Sequence, residues 1–175
     1  IFVFCFIPAG LSTVQRILLQ VILLPVVVGI SYELIKLAGR SENKIVKLIS
    51  YPGISSVFLE GAVTYSNEAK IKRLGVKEET LSKYGAVSEQ TAKEMAEGIA
   101  RESLSNASIA TTGIAGPSGG TIEKPIGLVY IAIYLNGKTI VKKCNFSGDR
   151  NEVRTLATNY AINMMIKELK DNNYE

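Results

Sequence analysis

The stretch from Ile126 to Phe146 restricts the fold more than any other part of the chain. Ile126 to Leu135 is almost continuously apolar and β-rich, the pattern of a central buried strand. Asn136-Gly137 follows at once, a dipeptide that accepts the left-handed backbone of a two-residue hairpin turn. Lys138 to Phe146 then reads as the partner strand. Such a hairpin needs apolar cover, which the rest of the chain must supply as helices.

That cover is readable. Ser66 to Leu74 reads as a short helix stopped by Gly75, and Glu78 to Tyr84 as another stopped by Gly85. Ser88 is a good N-cap, and Ala92, Met95, Ala96, Ile99 and Ala100 recur after it at helical spacing. Asp149 and Glu152 have capping-box spacing. They open a last helix in which Val153, Leu156, Ala157, Tyr160, Ala161, Met164 and Met165 follow the helical period. Phe58 to Tyr65 and Ala107 to Thr112 read as further strands. The expectation for residues 52–175 is an α/β domain of three layers, with a mixed, partly antiparallel sheet flanked by helices.

Residues 1–51 read differently, as a hydrophobic helical segment of membrane type. Ile1 to Ile7 is an apolar run with three phenylalanines, and Ile17 to Tyr32 is a second, interrupted by Gln20 and Pro25. The second run is short of the ~20 residues that span a bilayer, but Leu34, Ile35 and Leu37 extend it. A buried helix of a soluble protein is the other reading. The chain opens on Ile1 rather than Met, which reads as a piece of a longer protein. Residues 1–50 carry five basic side chains against two acids, and the remainder carries fifteen against fourteen. The net charge of +4 therefore suits membrane association through residues 1–40. It argues against nucleic acid, because no basic stripe with interleaved aromatics follows.

The chain has no histidine, which excludes Ser-His-Asp triads, Cys-His dyads and His-based zinc sites. Proton transfer is left to Lys, Tyr, Asp or Glu. Cys5 and Cys144 form no metal-type spacing and no disulfide framework, so a reducing compartment is the default.

Three polar segments interrupt the scaffold. Tyr65-Ser66-Asn67-Glu68-Ala69-Lys70 joins a strand to a helix. It is read either as a helix cap with a solvated lysine or as a Tyr/Lys base pair in which a desolvated lysine takes a proton from a hydroxyl. Thr111 to Thr121 is rich in glycine and hydroxyl groups and runs into Glu123-Lys124-Pro125. It is either a long surface loop or a cradle of backbone N–H groups for an anion. Ser147-Gly148-Asp149-Arg150 stands at a helix N-terminus. There plain capping competes with binding of a phosphate or carboxylate.

Together these segments resemble one family. YSNEAK at Tyr65 to Lys70, YGAVSEQTAKEMAEG at Tyr84 to Gly98, TTGIAGPSGG at Thr111 to Gly120, EKPIG at Glu123 to Gly127 and FSGDR at Phe146 to Arg150 follow the order and spacing of CinA C-terminal domains, the nicotinamide-nucleotide amidases. The resemblance implies hydrolysis of the nicotinamide amide of NMN to nicotinic acid mononucleotide and ammonia, with no metal and no organic cofactor. It places the catalytic Tyr and Lys on Tyr65 and Lys70. The expected substrate contacts are Thr111, Thr112, Gly113, Gly116, Gly119, Gly120 and Lys124 for the amide oxyanion, and Arg150 for the phosphate. The expected partner is a small pyridine nucleotide, and the expected location of residues 52–175 is the cytoplasm.

One departure bears on activity. The family carries its nucleophilic serine in a Glu-Ser-Cys-Thr-Gly-Gly stretch about thirty residues before YSNEAK. Here that region, Ile35 to Ser41, reads IKLAGRS. The domain also reads as lacking its first strand and helix, which would expose a sheet edge and favour a homo-oligomer. The run LLPVVVGISYELIKLAGR at Leu23 to Arg40 instead resembles the YqhQ-like bacterial membrane proteins. The two resemblances meet at Pro52-Gly53, where a chimeric join is expected. Ser31, Ser41 and Ser66 remain as possible nucleophiles. The competing expectations are an impaired amidase, a non-catalytic nucleotide-binding module, and a chimeric membrane-protein fragment without function of its own.

Overall fold

The computed structural model describes the backbone of Val3–Pro8 and residues 52–172. Strand β1 spans Val3–Pro8, and a single 3-10 turn at Ile54–Ser56 precedes β2, Phe58–Ala62. Helices α1 (Asn67–Leu74), α2 (Glu78–Tyr84) and α3 (Glu89–Glu102) follow. Strands β3 (Ser105–Gly113), β4 (Leu128–Leu135) and β5 (Lys138–Asn145) then lead to α4, Arg150–Asp171.

The five strands form one sheet in the order β2-β1-β3-β4-β5. Each of the four pairings is antiparallel, which corrects the expectation of a mixed sheet. The cause is the position of β1. Strands β2 and β3 run in the same direction and are joined by a helical crossover, as a mixed sheet requires. They are not neighbours, because β1 lies between them and runs against both.

The same strand corrects two further expectations. The slot read as missing its first strand is filled by Val3–Pro8, so no edge is left open there. These six residues are not part of a membrane-type helix. Their Val, Phe, Cys and Ile side chains favour extended backbone, and pairing on both sides satisfies their backbone groups. The apolar run of residues 17–37 lies outside the described residues. Among the described residues, no helix is long and apolar enough to cross a membrane.

The sheet separates two apolar layers by simple alternation. Val129, Ile131 and Ile133 of β4 pack with Val153, Ala157, Ala161 and Met165 of α4. On the opposite face Ala132, with Tyr130 and Tyr134 beside it, packs under Ala92, Met95, Ala96 and Ile99 of α3. Leu74, Val76 and Leu81 of the α1–α2 region complete that side. The three-layer arrangement therefore holds.

The local signals act as read. Asn136 and Gly137 take φ of 48° and 91°, both left-handed, as a hairpin turn of this type demands. Gly75 ends α1 in the left-handed region at φ 63°. The Asp149 carboxylate accepts from the N–H groups of Asn151 and Glu152, and the Glu152 carboxylate accepts from the Asp149 N–H at 2.7 Å. Asp149→Ala breaks this reciprocal cap and should cost about 1 kcal/mol. Thermal unfolding should show a fall of roughly 2–4 °C, and an unchanged midpoint would contradict the role given to this cap.

Candidate active site

The chain leaves β2 at Ala62 and turns into α1, and this junction positions the first two candidate site residues. The Ser66 hydroxyl accepts from Ala69 N–H at 3.1 Å, which fixes it as the N-cap. Lys70 lies one turn further on and does not reach solvent. It is 1% exposed, so the reading of a solvated lysine is corrected. Its Nζ donates to the carbonyls of Thr64, Tyr65 and Ser66 at 3.0, 3.3 and 3.4 Å. Burial pushes its pKa below the usual lysine range, and the nearby Glu68 carboxylate opposes this weakly. Glu68 itself is held below the usual carboxylate range by a backbone hydrogen bond and then by the Ser66 hydroxyl.

Tyr65 points the other way. Its side chain is 76% exposed and its hydroxyl accepts from Arg150 Nη2 at 3.2 Å. Arg150 also donates through Nη1 to the Gly116 carbonyl at 2.8 Å. One guanidinium thus joins the end of β2, the glycine-rich loop and the start of α4, residues that are 34 and 85 positions apart in sequence. Arg150 stays exposed while it bridges these elements.

The loop between β3 and β4 is pinned rather than loose. Ile114 N–H donates to Leu128 O and Gly127 N–H to Ile114 O, which closes its base. Gly116 and Gly119 take left-handed φ of 82° and 88°. A Cβ at Gly120 would stand 2.9 Å from the Ile126 backbone nitrogen, so the loop folds closely on itself. The Thr121 hydroxyl accepts from Lys124 N–H at 3.0 Å.

The residues expected to contact substrate fall into two groups. Gly116 and Arg150 stand together beside Tyr65. Thr112 and Lys124 are spent elsewhere. Thr112 is fully buried and donates to the Ala86 carbonyl at 2.6 Å, while Lys124 Nζ donates to the Tyr84 carbonyl at 2.7 Å. Both tie the loop region to the connection between α2 and α3. Thr111 is half-buried in β3, and Gly113 lies against Leu128, whose carbonyl oxygen a Cβ there would meet at 2.6 Å. Ser66 is committed to its capping role, and Ser31 and Ser41 lie outside the described residues. One residue was not singled out by the sequence reading. Thr64 is 1% exposed, its carbonyl accepts from Lys70, and its own hydroxyl has no partner among the described residues. Its position directly before YSNEAK was the available signal.

The site therefore holds a buried amine, an exposed phenol and a cationic bridge at the mouth of a glycine-rich loop. The CinA C-terminal domain family matches residues 44–169, the span that contains all of them. The chain belongs to the CinA C-terminal domain family. A second family model, a protein of unknown function (DUF1385), matches residues 1–60 and overlaps the first match over residues 44–60. A competence-damage inducible protein of Clostridioides difficile is 65% identical over 123 residues, 70% of this chain and 29% of that protein. The chain thus spans less than a third of the length of such curated relatives. Among solved structures, the competence/damage inducible protein CihA of Agrobacterium tumefaciens aligns with a TM-score of 0.67 at 43% identity, over 70% of this chain and 75% of that one. The competence damage-inducible protein A (ComA) of Klebsiella pneumoniae aligns with a TM-score of 0.68 at 35% identity, over 71% and 78%.

Proposed function

We propose that this CinA domain is built to bind a pyridine mononucleotide such as NMN and that it descends from amidases that hydrolyse the nicotinamide amide. The convergence of Tyr65, Gly116 and Arg150 supports this reading most directly. Arg150 has five N–H donors and shows two in use here, so donors remain for a phosphate at the N-terminus of α4. The exposed Tyr65 ring offers a face for the pyridine. The glycine-rich loop, with Thr111, Gly113, Gly119 and Gly120, is proposed to receive the amide oxygen. No metal and no organic cofactor enters this chemistry.

In such an amidase a hydroxyl attacks the carboxamide carbon while a neutral lysine amine takes its proton, and ammonia leaves with that proton. Desolvated Lys70 has the lowered basicity the role needs. Among the described residues we assign no hydroxyl to it, and the family's serine stretch is replaced in sequence by IKLAGRS. We therefore read turnover as impaired. The second reading, a nucleotide-binding module without chemistry, is favoured by one observation. Lys70 Nζ already has three backbone carbonyls within hydrogen-bond distance, as a structural lysine does.

Arg150→Ala tests the binding half. Titration calorimetry with NMN should show affinity weakened roughly 10- to 100-fold, the loss expected for a charge-assisted contact. Equal affinity in the variant would remove Arg150 from the site. Of the other expected partners, self-association keeps as its support the outer edges of β2 and β5, each paired on one side only among the described strands. A cytoplasmic location follows only if the nucleotide reading holds.

A further inference from the structure

The glycine-rich loop is shaped around an isoleucine that it leaves partly in solvent. Ile126 is 42% exposed. Isolated apolar side chains are ordinary at a surface, but this one is held. Its peptide lies in a turn closed by Leu128 N–H donating to Pro125 O at 3.1 Å and by Gly127 N–H donating to Ile114 O at 2.8 Å. Its branched side chain is seated on two glycines. A Cβ at Gly116 would stand 2.8 Å from Ile126 Cγ2, and one at Gly120 would stand 2.8 Å from Ile126 Cγ1 and 2.9 Å from its backbone nitrogen. Gly116 also needs glycine for its left-handed φ of 82°, whereas Gly120 has no left-handed φ. What excludes a side chain at Gly120 is therefore Ile126 itself. The same contacts fix where this apolar surface lies. Gly116 gives its carbonyl to Arg150 Nη1 at 2.8 Å, and Arg150 Nη2 donates to the Tyr65 hydroxyl at 3.2 Å. On the other side, Gly127 O accepts from Phe146 N–H at 2.9 Å, shortly before the start of α4. An aliphatic surface, a cation and an exposed aromatic ring are thus joined through one residue, Gly116.

We propose that Ile126 is a specificity residue of this site, the aliphatic contact for a flat aromatic ring whose sugar phosphate is held by Arg150. The proposal rests on the pyridine-nucleotide reading above and adds a selecting residue to it. A guanidinium alone takes any phosphorylated sugar. Discrimination among such ligands needs a contact that only the ring can make. An apolar side chain already held by its loop makes that contact with little further ordering. The exposed Tyr65 ring offers a π-face to the pyridinium of NMN. Ile126 offers apolar area for the ring to cover.

The test is titration calorimetry of the full chain with NMN and, separately, with ribose 5-phosphate, which keeps the sugar and phosphate and lacks the ring. Ile126→Ala should weaken NMN binding about 5-fold, the loss expected when a partly covered aliphatic side chain is removed. Its affinity for ribose 5-phosphate should equal the parent's. Ile126→Thr keeps a branched side chain between the two glycines, and it decides the matter if circular dichroism shows Ile126→Ala unfolded. It should weaken NMN binding about 3-fold and leave ribose 5-phosphate unaffected. Unchanged NMN affinity in folded variants overturns the proposal and leaves the nucleotide reading standing. Equal losses for the two ligands overturn it as well, because Ile126 would then only prop the loop that carries Gly116. A parent protein that binds neither ligand overturns the nucleotide reading itself, and the proposal with it.

Discussion

Gly98→Ala should destabilise this domain by about 3 kcal/mol, although alanine is ordinarily the better helix residue by about 1 kcal/mol. Gly98 lies inside α3 and is buried where that helix crosses the end of α1. A Cβ there would overlap the Leu74 carbonyl oxygen, with the carbonyl carbon only 2.7 Å away. Both are backbone atoms, so no rotamer change relieves the clash. Leu74 is itself 0% exposed and joins α1 to the core beside Met95 and Ile99. The helices must separate, and the junction that holds Lys70 separates with them. Thermal unfolding should fall by roughly 6–12 °C. Lys93→Ala, at an exposed position on the same helix, should stay within about 0.5 kcal/mol of the parent. A Gly98→Ala protein as stable as the parent would show that the approach of α1 to α3 is not the tight contact described.

Lys70→Ala should cost a similar amount, about 3 kcal/mol, for a different reason. It empties a fully buried position and leaves the carbonyls of Thr64 and Tyr65 without the donor they now share. Lys70→Met should cost less, because it fills the space and removes a buried charge. The pH dependence separates the two contributions. The folded pKa of Lys70 is depressed, so between that value and the ordinary lysine value of 10.5 the unfolded chain holds a proton that the folded chain has released. Stability then rises with pH across that window, relative to Lys70→Met, which lacks the group. Urea unfolding at several alkaline pH values reads this directly. A difference between the two proteins that is flat with pH would mean that Lys70 is not desolvated as its burial implies.

The parts of the fold that the sequence revealed are those set by neighbours in the chain. Asn136-Gly137 makes its turn through its own backbone preference, and Asp149 caps α4 through a residue three positions away. The parts it concealed depend on residues far apart. Val3–Pro8 pairs with strands about 55 and 100 positions onward, and a six-residue apolar run carries no period long enough to tell strand from helix. Lys70 looked solvated because the path of residues 64–66, which folds three carbonyls around its ammonium, is not written in residue types. Thr112 and Lys124 sit in the glycine-rich region but are used by the connection at Tyr84 and Ala86, a tertiary choice no local spacing foretells. Arg150, read from a helix start, needed Tyr65 and Gly116 to become a bridge between distant elements.

The central proposal is that this chain keeps a CinA scaffold and binds a pyridine mononucleotide without the family's nucleophile. It is tested by ammonia release from NMN with the purified full chain, alongside calorimetric binding of NMN. The account predicts binding that Arg150→Ala weakens and no ammonia above the rate without protein. Ammonia release that disappears in folded Lys70→Met protein would contradict it, because a hydroxyl outside the family's usual serine stretch would then complete the site.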